Sequence, residues 1–541
     1  MRVNRRDLLT LGGLALAGTA VAPALGRAQV PRRGGVLTIR AWDPPHFDPM
    51  LTPAFKTHVP LSFTHSRLLR HKAGPSVQPG TFPIEGDLAE SWTQLNETTY
   101  VFRLRKGIRW HAKPPVNGRE LSAEDVQYTI ERFLTVKGNV NAYMLNVVDR
   151  VEALDRYTVK FILKEPFVWL LDVLANPMAV AIIARECVQK FGDLKKPEAV
   201  IGTGPWVLDS YRPNVGLTLV RNPTYFVPGL PHVDRVELVV DEDNASRMAS
   251  FLSGKYDLGW EFQGTVLRTD WSQIREKLRQ RRPNLRALEF PSNVMHHIAM
   301  RSDRPPFNDV RVRQAMSLAI DRQGMIDSIM EGVGVLNPPV PAGLQEWSLP
   351  IHRLGEGSSY YRYDPAEAKR LLAAAGYSKG FPATVCFTGY GSTLTLDLMH
   401  LVLSYLKEVG IDATLDQKEY GAYVSTCFHG KFDSLAFGPQ TAFLDPHNFL
   451  YGQYYPGELR NQSHIDNRAI ADLLVREQRT FDIAKRRELI HEVQRQLAKE
   501  QYYVQTPSVV AIGVWEGALK NYAPNLGFDY GGRLVAAWLD R

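Results

Sequence analysis

Short strand-like segments alternate with helical segments along most of this chain, and this alternation restricts the fold more than any other feature. Four segments rich in β-branched and aromatic residues are typical of strands: 36–40, 99–105, 157–163 and 233–240. Within 157–163, apolar side chains recur at every second residue from Tyr157, as one buried face of a sheet requires. The alternation predicts a large α/β protein.

Several of the helical segments carry their own start and stop signals. In 363–377, Asp364 can cap the helix, Pro365 suits its first position, Glu367 completes a capping box and Gly376 ends it. Apolar stripes at helical spacing run through 308–322 and 398–410, and 467–501 is helical in composition. The chain shows no heptad pattern and no fixed-period repeat, which excludes coiled coils, solenoids and propellers.

Two linker-like segments, 291–294 and 506–509, bracket about 210 residues. A segment of that size inserted between two parts of another domain would form two lobes joined by a pair of crossovers. The sequence therefore predicts two lobes.

The N-terminus has the pattern of an export signal. A charged start is followed by an apolar run from Leu8 to Ala22 and by small residues that suit cleavage after Ala24 or Ala28. The pair Arg5-Arg6 resembles a twin-arginine signal, although Asn4 and Leu8 depart from that pattern and leave the Sec route open. A first amphipathic helix is the alternative. No cysteine lies nearby to accept a lipid, so we expect a soluble exported protein.

The formal charge of +7 is partly a property of this signal. Residues 1–28 carry four arginines against Asp7, a net of +3, so +4 remains on more than 500 residues. That charge is too dilute to indicate a nucleic-acid partner.

Only three cysteines are present, Cys187, Cys386 and Cys427, and they lie far apart. This number and spacing predict neither a disulfide framework nor a CxxC metal site. Beyond Ala28 no apolar stretch approaches ~18 residues, so the sequence predicts no membrane span.

Signatures of catalysis are missing: the sequence has no GxSxG, HExxH, P-loop or strand-linked GxGxxG motif. His296 and His297 lie in a strand-like segment, where neighbouring side chains point to opposite faces, so at most one can enter a given pocket. We expect no metal and no cofactor.

Aromatic residues in loop-like positions are better material for a ligand pocket between lobes. Each of them alone is more typical of a core. They are Trp260, Tyr390, Tyr420, Phe437 and Phe443.

A dozen ordered strings carry a family resemblance. The chain resembles, over nearly its whole mature length, the family 5 solute-binding proteins of ABC importers, which include dipeptide, oligopeptide and nickel binding proteins. The strings are FDP (47–49), GDLAESW (86–92), YVFRLRKGIRWH (100–111), LSAEDVQYTIERF (121–133), GTGPW (202–206), RNPTYF (221–226), LSGKYD (252–257), PPFNDVRVRQAMSLAIDR (305–322), YDPAEAKRLLAAAGY (363–377), LKEVGID (406–412), GKFD (430–433) and LDP (444–446).

The resemblance implies an α/β, two-lobed periplasmic binding protein fold of class II type, with an extra subdomain in the first lobe. It also implies closure around a solute, delivery to an ABC permease with its ATPases, no catalysed reaction and a monomer. The predicted bounds are 1–28 for the signal, 34–70, 200–292 and 506–541 for lobe I, 71–199 for the subdomain, and 293–505 for lobe II.

The departures from the family pattern concern the solute. Peptide-binding members place an aspartate three residues before the Asp-Pro pair, and a tryptophan three residues earlier; here these positions are Ala442 and Pro439. A buried ammonium without a carboxylate partner would cost several kcal/mol, so a free-amine peptide requires a carboxylate from another loop. Arg301 replaces a usual asparagine and is expected to alter the cleft wall or attract an anion.

The predicted ligand-binding residues combine both arguments, and Tyr420 takes the place of a pocket tryptophan in relatives. They are Trp42, Trp260, His297, Tyr390, Tyr420, Phe437, Gln440, Thr441 and Phe443. The leading hypothesis is a periplasmic solute-binding subunit of an ABC importer for a small organic solute. An exported hydrolase of peptides or glycosides and a peptide-holding chaperone are the alternatives, and the solute stays open.

Overall fold

A computed structural model of the protein describes residues 30–52, 54–139, 141–259, 268–389, 392–440 and 442–541. The predicted signal at 1–28 and three predicted site residues, Trp260, Tyr390 and Thr441, lie outside these ranges.

The strands of the described residues follow one another along almost the whole chain. In chain order they are β1 (Val36–Ala41), β2 (Leu69–His71), β3 (Ile84–Gly86), β4 (Ala89–Asn96), β5 (Thr99–Leu104), β6 (Val148–Asp155), β7 (Thr158–Leu163), β8 (Trp206–Arg212), β9 (Gly216–Arg221), β10 (Arg235–Val240), β11 (Leu258–Gly259), β12 (Arg286–Pro291), β13 (His296–Met300), β14 (Gly334–Val335), β15 (Phe381–Phe387), β16 (Ile411–Gln417), β17 (Leu435–Pro439), β18 (Tyr503–Gln505), β19 (Ser508–Trp515), β20 (Leu519–Lys520) and β21 (Trp538–Leu539).

The α-helices lie between these strands. They are α1 (Phe55–Thr64), α2 (Ala123–Thr135), α3 (Leu170–Ala175), α4 (Arg185–Phe191), α5 (Asn244–Leu252), α6 (Arg268–Arg281), α7 (Val310–Leu318), α8 (Arg322–Ile329), α9 (Pro365–Ala374), α10 (Thr393–Glu408), α11 (Tyr420–Ser425), α12 (Pro446–Tyr454), α13 (Arg468–Gln478), α14 (Ile483–Glu500) and α15 (Tyr530–Leu534).

The largest sheet combines strands from both ends of the chain. Its order is β12-β19-β11-β1-β10-β9-β8, and the short β14 also pairs with β19. Strand β1 lies in the middle, parallel to β10 and β11, and Leu37 and Ile39 of this strand are buried in an apolar core. The sheet therefore includes the C-terminal β19, which lies between β12 and β11.

A second sheet has the order β16-β15-β17-β13-β18 and is formed between residues 296 and 505. Helices α7, α9 and α10 contribute to the apolar cluster of this sheet. The chain passes from the first sheet to the second between β12 and β13 and returns between β18 and β19. Both passages coincide with the segments predicted as linkers, 291–294 and 506–509.

A third, four-stranded antiparallel sheet, β4-β5-β7-β6, lies within the predicted subdomain and packs against α2. In β7, Val159, Phe161 and Leu163 are buried and alternate with more accessible residues. The predicted single buried face of this strand is confirmed.

One predicted helical stretch is divided in two. The sequence favours continuous helix over 467–501, whereas the structure ends α13 at Gln478 and begins α14 at Ile483. The break arises because the Asp482 carboxylate accepts the backbone N–H of Lys485 at 2.9 Å and caps a new helix.

The expectation that the cysteines do not pair is wrong for two of them. Cys386 of β15 and Cys427 form a disulfide bond with Cα atoms 6.2 Å apart, across a sequence separation of 41 residues. The two cysteines meet because β15 and β17 are neighbours in the sheet and Cys427 lies before β17. Their separation along the sequence gives no indication of this pairing. Cys187 is a buried free thiol.

In the described part of the chain, no helix has both the length and the apolar character that crossing a membrane requires.

Candidate ligand-binding site

The segment that follows β17 and runs into the first turn of α12, described at residue 440 and at residues 442–448, reaches from the second sheet toward the other parts of the molecule. We call it the 440–448 loop. Its end is fixed by the Asp-Pro pair: the Asp445 carboxylate accepts the backbone N–H of Asn448 at 2.8 Å, and Pro446 occupies the first position of α12.

Gln440 and His297 form a buried polar network at the start of this loop. The Gln440 side-chain amide donates to Nδ1 of His297 and to Oε1 of Gln453, each at 2.7 Å. The other ring nitrogen of His297, Nε2, lies 3.2 Å from Oε1 of Gln462. Burial lowers the pKa of His297 to about 4, so the ring is neutral and Nε2 is the donor.

His296 points to the opposite face of β13, as the sequence predicts. Its Nε2 lies 3.0 Å from Oγ1 of Thr395, and its ring stacks on Phe437. Phe437 is fully buried in the apolar cluster of the second sheet and lines neither of the two cavities described below. Its surroundings are those of a core residue.

Phe443 is held inside the 440–448 loop. The guanidinium of Arg460 lies 4.1 Å from its ring centroid, and the ring of Phe449 meets it edge-on at 5.4 Å. Its backbone carbonyl accepts a hydrogen bond from the Asn293 amide at 2.7 Å. These contacts fix the loop against the crossover that follows β12.

Trp42 lies directly after β1 and is 4% exposed. Its ring meets Phe55 edge-on at 4.9 Å and lies under the guanidinium of Arg40 at 4.2 Å. Ala442 of the 440–448 loop packs against the same apolar cluster. The position where peptide-binding relatives carry an aspartate is thus in contact with the core of the first sheet.

Two further residues lie outside the linings of the two cavities described below. Tyr420 begins α11 and is 54% exposed. Arg301 is buried, forms two hydrogen bonds with the Asp303 carboxylate and donates to the Phe432 carbonyl at 2.7 Å. The guanidinium of Arg301 is thus already bound within the second lobe, which does not support attraction of an anion, and its effect on the cleft wall stays a prediction.

The subdomain and the second lobe are in direct contact. The Trp169 indole N–H donates to Glu477 at 3.0 Å, and the backbone N–H of Val168 donates to the Gln478 carbonyl at 2.9 Å. His447 hydrogen-bonds the other oxygen of the Glu477 carboxylate. These hydrogen bonds hold the subdomain against the second lobe.

Leu444 makes a second contact between lobes. A Cβ atom on Gly527 would lie 2.7 Å from Cδ2 of Leu444, and Gly527 has a φ of +82°. Glycine adopts this backbone conformation without the strain that a larger residue would incur, and its missing side chain leaves room for Leu444.

Two cavities flank the 440–448 loop. The first lies between the β2–β3 hairpin, Leu444 and the segment 523–533. The second, which we call the subdomain cavity, lies between the subdomain and α12 with its following turn. It is lined by Tyr143, Met144, Asn146, Val147, Glu165, Phe167, Val173, His447, Asn448, Tyr451, Gly452, Glu458 and Gln478.

Of the predicted ligand-binding residues that the structure describes, none lines the subdomain cavity. The sequence does contain one pattern that indicates part of this cavity: His447, Tyr451 and Tyr455 follow the Asp-Pro helix start at intervals of four residues. Residues four apart share a helix face, and neighbouring rings of this series are in contact, with centroids 5.0 Å apart for the tilted pair His447–Tyr451 and 4.3 Å apart for the stacked pair Tyr451–Tyr455.

Burial raises the pKa of two carboxyl groups at or near this cavity. Burial, followed by repulsion from Asp445, raises the pKa of Asp172 to about 7. Burial also raises the pKa of Glu458, whereas Arg460 and His447 act in the opposite direction. In the described ranges, no cluster of three or more His, Cys, Asp or Glu residues is arranged to hold a metal ion.

Comparison with known proteins identifies relatives across most of the chain. The sequence profile described as "Bacterial extracellular solute-binding proteins, family 5 Middle" matches residues 83–461. Di/tripeptide-binding protein 3 of Pseudomonas aeruginosa is 28% identical over 445 residues, 76% of this chain and 79% of the relative. The glutathione-binding protein GsiB of Escherichia coli is 26% identical over 443 residues, 78% of this chain and 80% of the relative.

Solved structures share the architecture. The periplasmic binding protein DppA of Helicobacter pylori, in complex with the peptide STSA, has a TM-score of 0.78 and 25% identity and covers 94% of this chain and 99% of its own. AgaA of Agrobacterium tumefaciens R10, in complex with agropinic acid, has the same TM-score and coverage at 22% identity, which supports the fold alone.

These likenesses confirm the predicted α/β, two-lobed periplasmic binding protein fold. The profile matches more than half of the chain, and the lobes meet around a loop flanked by cavities. The protein belongs to family 5 of the bacterial extracellular solute-binding proteins.

Proposed function

We propose that this protein is the periplasmic substrate-binding subunit of an ABC importer, which captures a small organic solute between its lobes and delivers it to a membrane permease with its ATPases. The observation that carries the proposal is the direct contact between the lobes at Trp169–Glu477 and at the 440–448 loop, in a chain of the solute-binding family. A solute that contacts both lobes stabilises the closed state by its higher affinity for that state, and the permease can recognise the closed surface.

The division into lobes is part of this proposal. The first lobe comprises 34–70, 200–292 and 506–541, the subdomain 71–199 and the second lobe 293–505. The three main sheets support these bounds because the strands of each sheet lie within one of the three units, apart from the short β14, which pairs with β19.

Export by the signal at 1–28, of twin-arginine type, would place a monomeric mature protein in the periplasm. The support is the sequence pattern of that segment, together with the DppA relative, which is described as a periplasmic binding protein.

Gln440 and Phe443 are the strongest of the predicted ligand-binding residues. Gln440 is 5% exposed, and no residue in the described ranges donates to its Oε1 atom. A buried acceptor left without a donor costs free energy, which an N–H or O–H group of the solute would recover. Trp42 belongs to the apolar cluster on which Ala442 packs, and His297 accepts a hydrogen bond from Gln440, so both residues position the loop. Trp260, Tyr390, Tyr420 and Thr441 stay predictions.

The relatives suggest where to begin the search for the solute. Their names assign di- and tripeptides and glutathione to those proteins. In this chain Ala442 offers no carboxylate to a peptide ammonium, so a modified peptide, a non-peptide solute or a different carboxylate is required.

A thermal-shift screen of the purified mature protein tests the function. Di- and tripeptides, glutathione and N-blocked peptides are each added in large excess. One class should raise the unfolding temperature strongly, because a ligand at 100 times its Kd adds about 2.7 kcal/mol of stability. The stabilising compound must be recovered unchanged; its hydrolysis would contradict a binding-only function.

A further inference from the structure

The lining of the subdomain cavity includes three phenol or phenyl rings and two carboxylates. Tyr143 and Phe167 approach from the subdomain, and Tyr451 and Glu458 approach from the second lobe. Any occupant of this cavity would therefore contact both lobes, which is the condition for stabilising the closed state.

The Glu458 carboxylate is the free negative charge of this cavity. It is half-buried, and among the described residues it forms no hydrogen bond and no ion pair. The second acidic residue in the lining, Glu165, is already paired with Arg479. A half-buried carboxylate without a partner is costly, and a cationic group beside it would remove that cost.

Nearby positive charges of the chain are bound elsewhere. The Arg460 guanidinium donates to the Tyr143 hydroxyl at 2.9 Å and stacks on Phe443, and Arg460 is not in the lining. His447 is paired with the buried Glu477. Neither group forms an ion pair with Glu458.

The aromatic walls favour the same kind of ligand group. The faces of tyrosine and phenylalanine rings attract cations, an interaction of about 0.5–2 kcal/mol that grows as water is excluded. Carboxylate and rings together match an ammonium or a guanidinium better than an anion.

We infer that the solute carries a basic group and that Glu458 binds this group in the subdomain cavity. The inference rests on the proposed function as a solute-binding subunit. Glu458 then supplies, from the turn after α12, the carboxylate that Ala442 does not provide. The basic group can be the amino terminus of a peptide or a basic side chain.

Calorimetric titration with three matched peptides separates these sources. Trialanine has a free amino terminus, N-acetyl-alanyl-lysyl-alanine has only a basic side chain, and N-acetyl-trialanine has neither. At least one of the first two peptides should bind, and N-acetyl-trialanine should bind at least tenfold more weakly.

Variants assign the effect to Glu458. Glu458→Gln should weaken the basic peptide by about tenfold to a hundredfold, as the loss of a hydrogen bond to a charged group does. Glu458→Asp keeps the charge and should retain part of the affinity. Glu90→Gln makes the same change at an exposed position of the subdomain and should alter nothing.

Three results would overturn the inference: equal affinity for N-acetyl-trialanine, unchanged affinity in Glu458→Gln, or no binding of either basic peptide. Native mass spectrometry distinguishes its failure from failure of the proposed function. A bound solute without a basic group contradicts the inference alone, whereas a protein that retains no solute contradicts both.

Discussion

At the scale of single residues, the pKa of Asp172 in the subdomain is sensitive to Asp445, a residue of the second lobe. It lies in α3, and burial and the nearby Asp445 raise its pKa from 3.8 to about 7. Because the folded state holds the proton more tightly than the unfolded state, the stability that this group contributes is fully present below pH ~4 and is lost as the pH rises to about 7.

Asp172→Asn should remove this dependence. Between pH ~4 and ~7 the wild type should lose free energy of unfolding relative to the variant, and above that range the difference should be constant. Urea unfolding at several pH values measures it. Asp472→Asn, at an exposed position of α13, is the matched control and should follow the wild type. A constant difference across the whole range would contradict the raised pKa of Asp172.

Single residues also mark how far sequence reasoning reaches. The alternation of side chains in β13 correctly separated His296 from His297, because strand geometry is local. The environments of Arg301 and Phe437 depend on elements far away in the chain, since Arg301 donates to the Phe432 carbonyl and the core of the second sheet encloses Phe437.

At the scale of elements, the disulfide between β15 and the turn before β17 closes a loop of 41 residues in the second lobe. Removing the disulfide raises the conformational entropy of the unfolded chain. The double variant Cys386→Ala/Cys427→Ala should therefore lose about 2–4 kcal/mol of unfolding free energy. Urea unfolding with and without a reductant checks this value. The double variant should not respond to the reductant, whereas Cys187→Ala should respond as the wild type does. Equal stability of oxidised and reduced wild type would contradict the prediction.

The contact of α3 and its preceding turn with α13 is a second test at this scale. Trp169→Phe keeps an aromatic ring but removes the N–H that donates to Glu477. Loss of a hydrogen bond to a buried charge costs about 1.5–3 kcal/mol, and here the loss weakens the contact between the subdomain and the second lobe. Solute affinity should therefore fall by tenfold or more.

Titration calorimetry measures that affinity, and small-angle scattering should report a larger radius of gyration for the variant without solute. Trp92→Phe, in β4 of the subdomain sheet, is the control. If Trp169→Phe binds solute as the wild type does, the Trp169–Glu477 contact does not contribute to closure.

Elements with strong local signals were predictable from the sequence, and those set by tertiary contacts were not. Asp364 and Pro365 begin α9 as predicted, since capping depends on neighbouring residues. The capping of α14 by Asp482 is equally local, but the continuous polar composition of 467–501 does not indicate it. The disulfide and the subdomain cavity arise from contacts between distant segments, which spacing alone does not encode.

At the scale of the whole molecule, one chain forms two large sheets joined by adjacent crossovers, with a subdomain that reaches the second lobe. The crossovers were predictable because linker composition is local. The contacts between the lobes were not predictable, since Trp169 bonds Glu477 across 308 residues, Leu444 meets Gly527 and Ala442 packs on the core of another sheet.

The central claim, that this molecule encloses one intact solute, is tested most directly by native mass spectrometry. The mature protein is incubated with a small-molecule extract of rich medium, desalted and measured with and without denaturation. The account predicts one additional mass per protein, lost on denaturation and recovered as an unmodified compound. A protein that retains no such mass, or that releases only cleavage products, would contradict it.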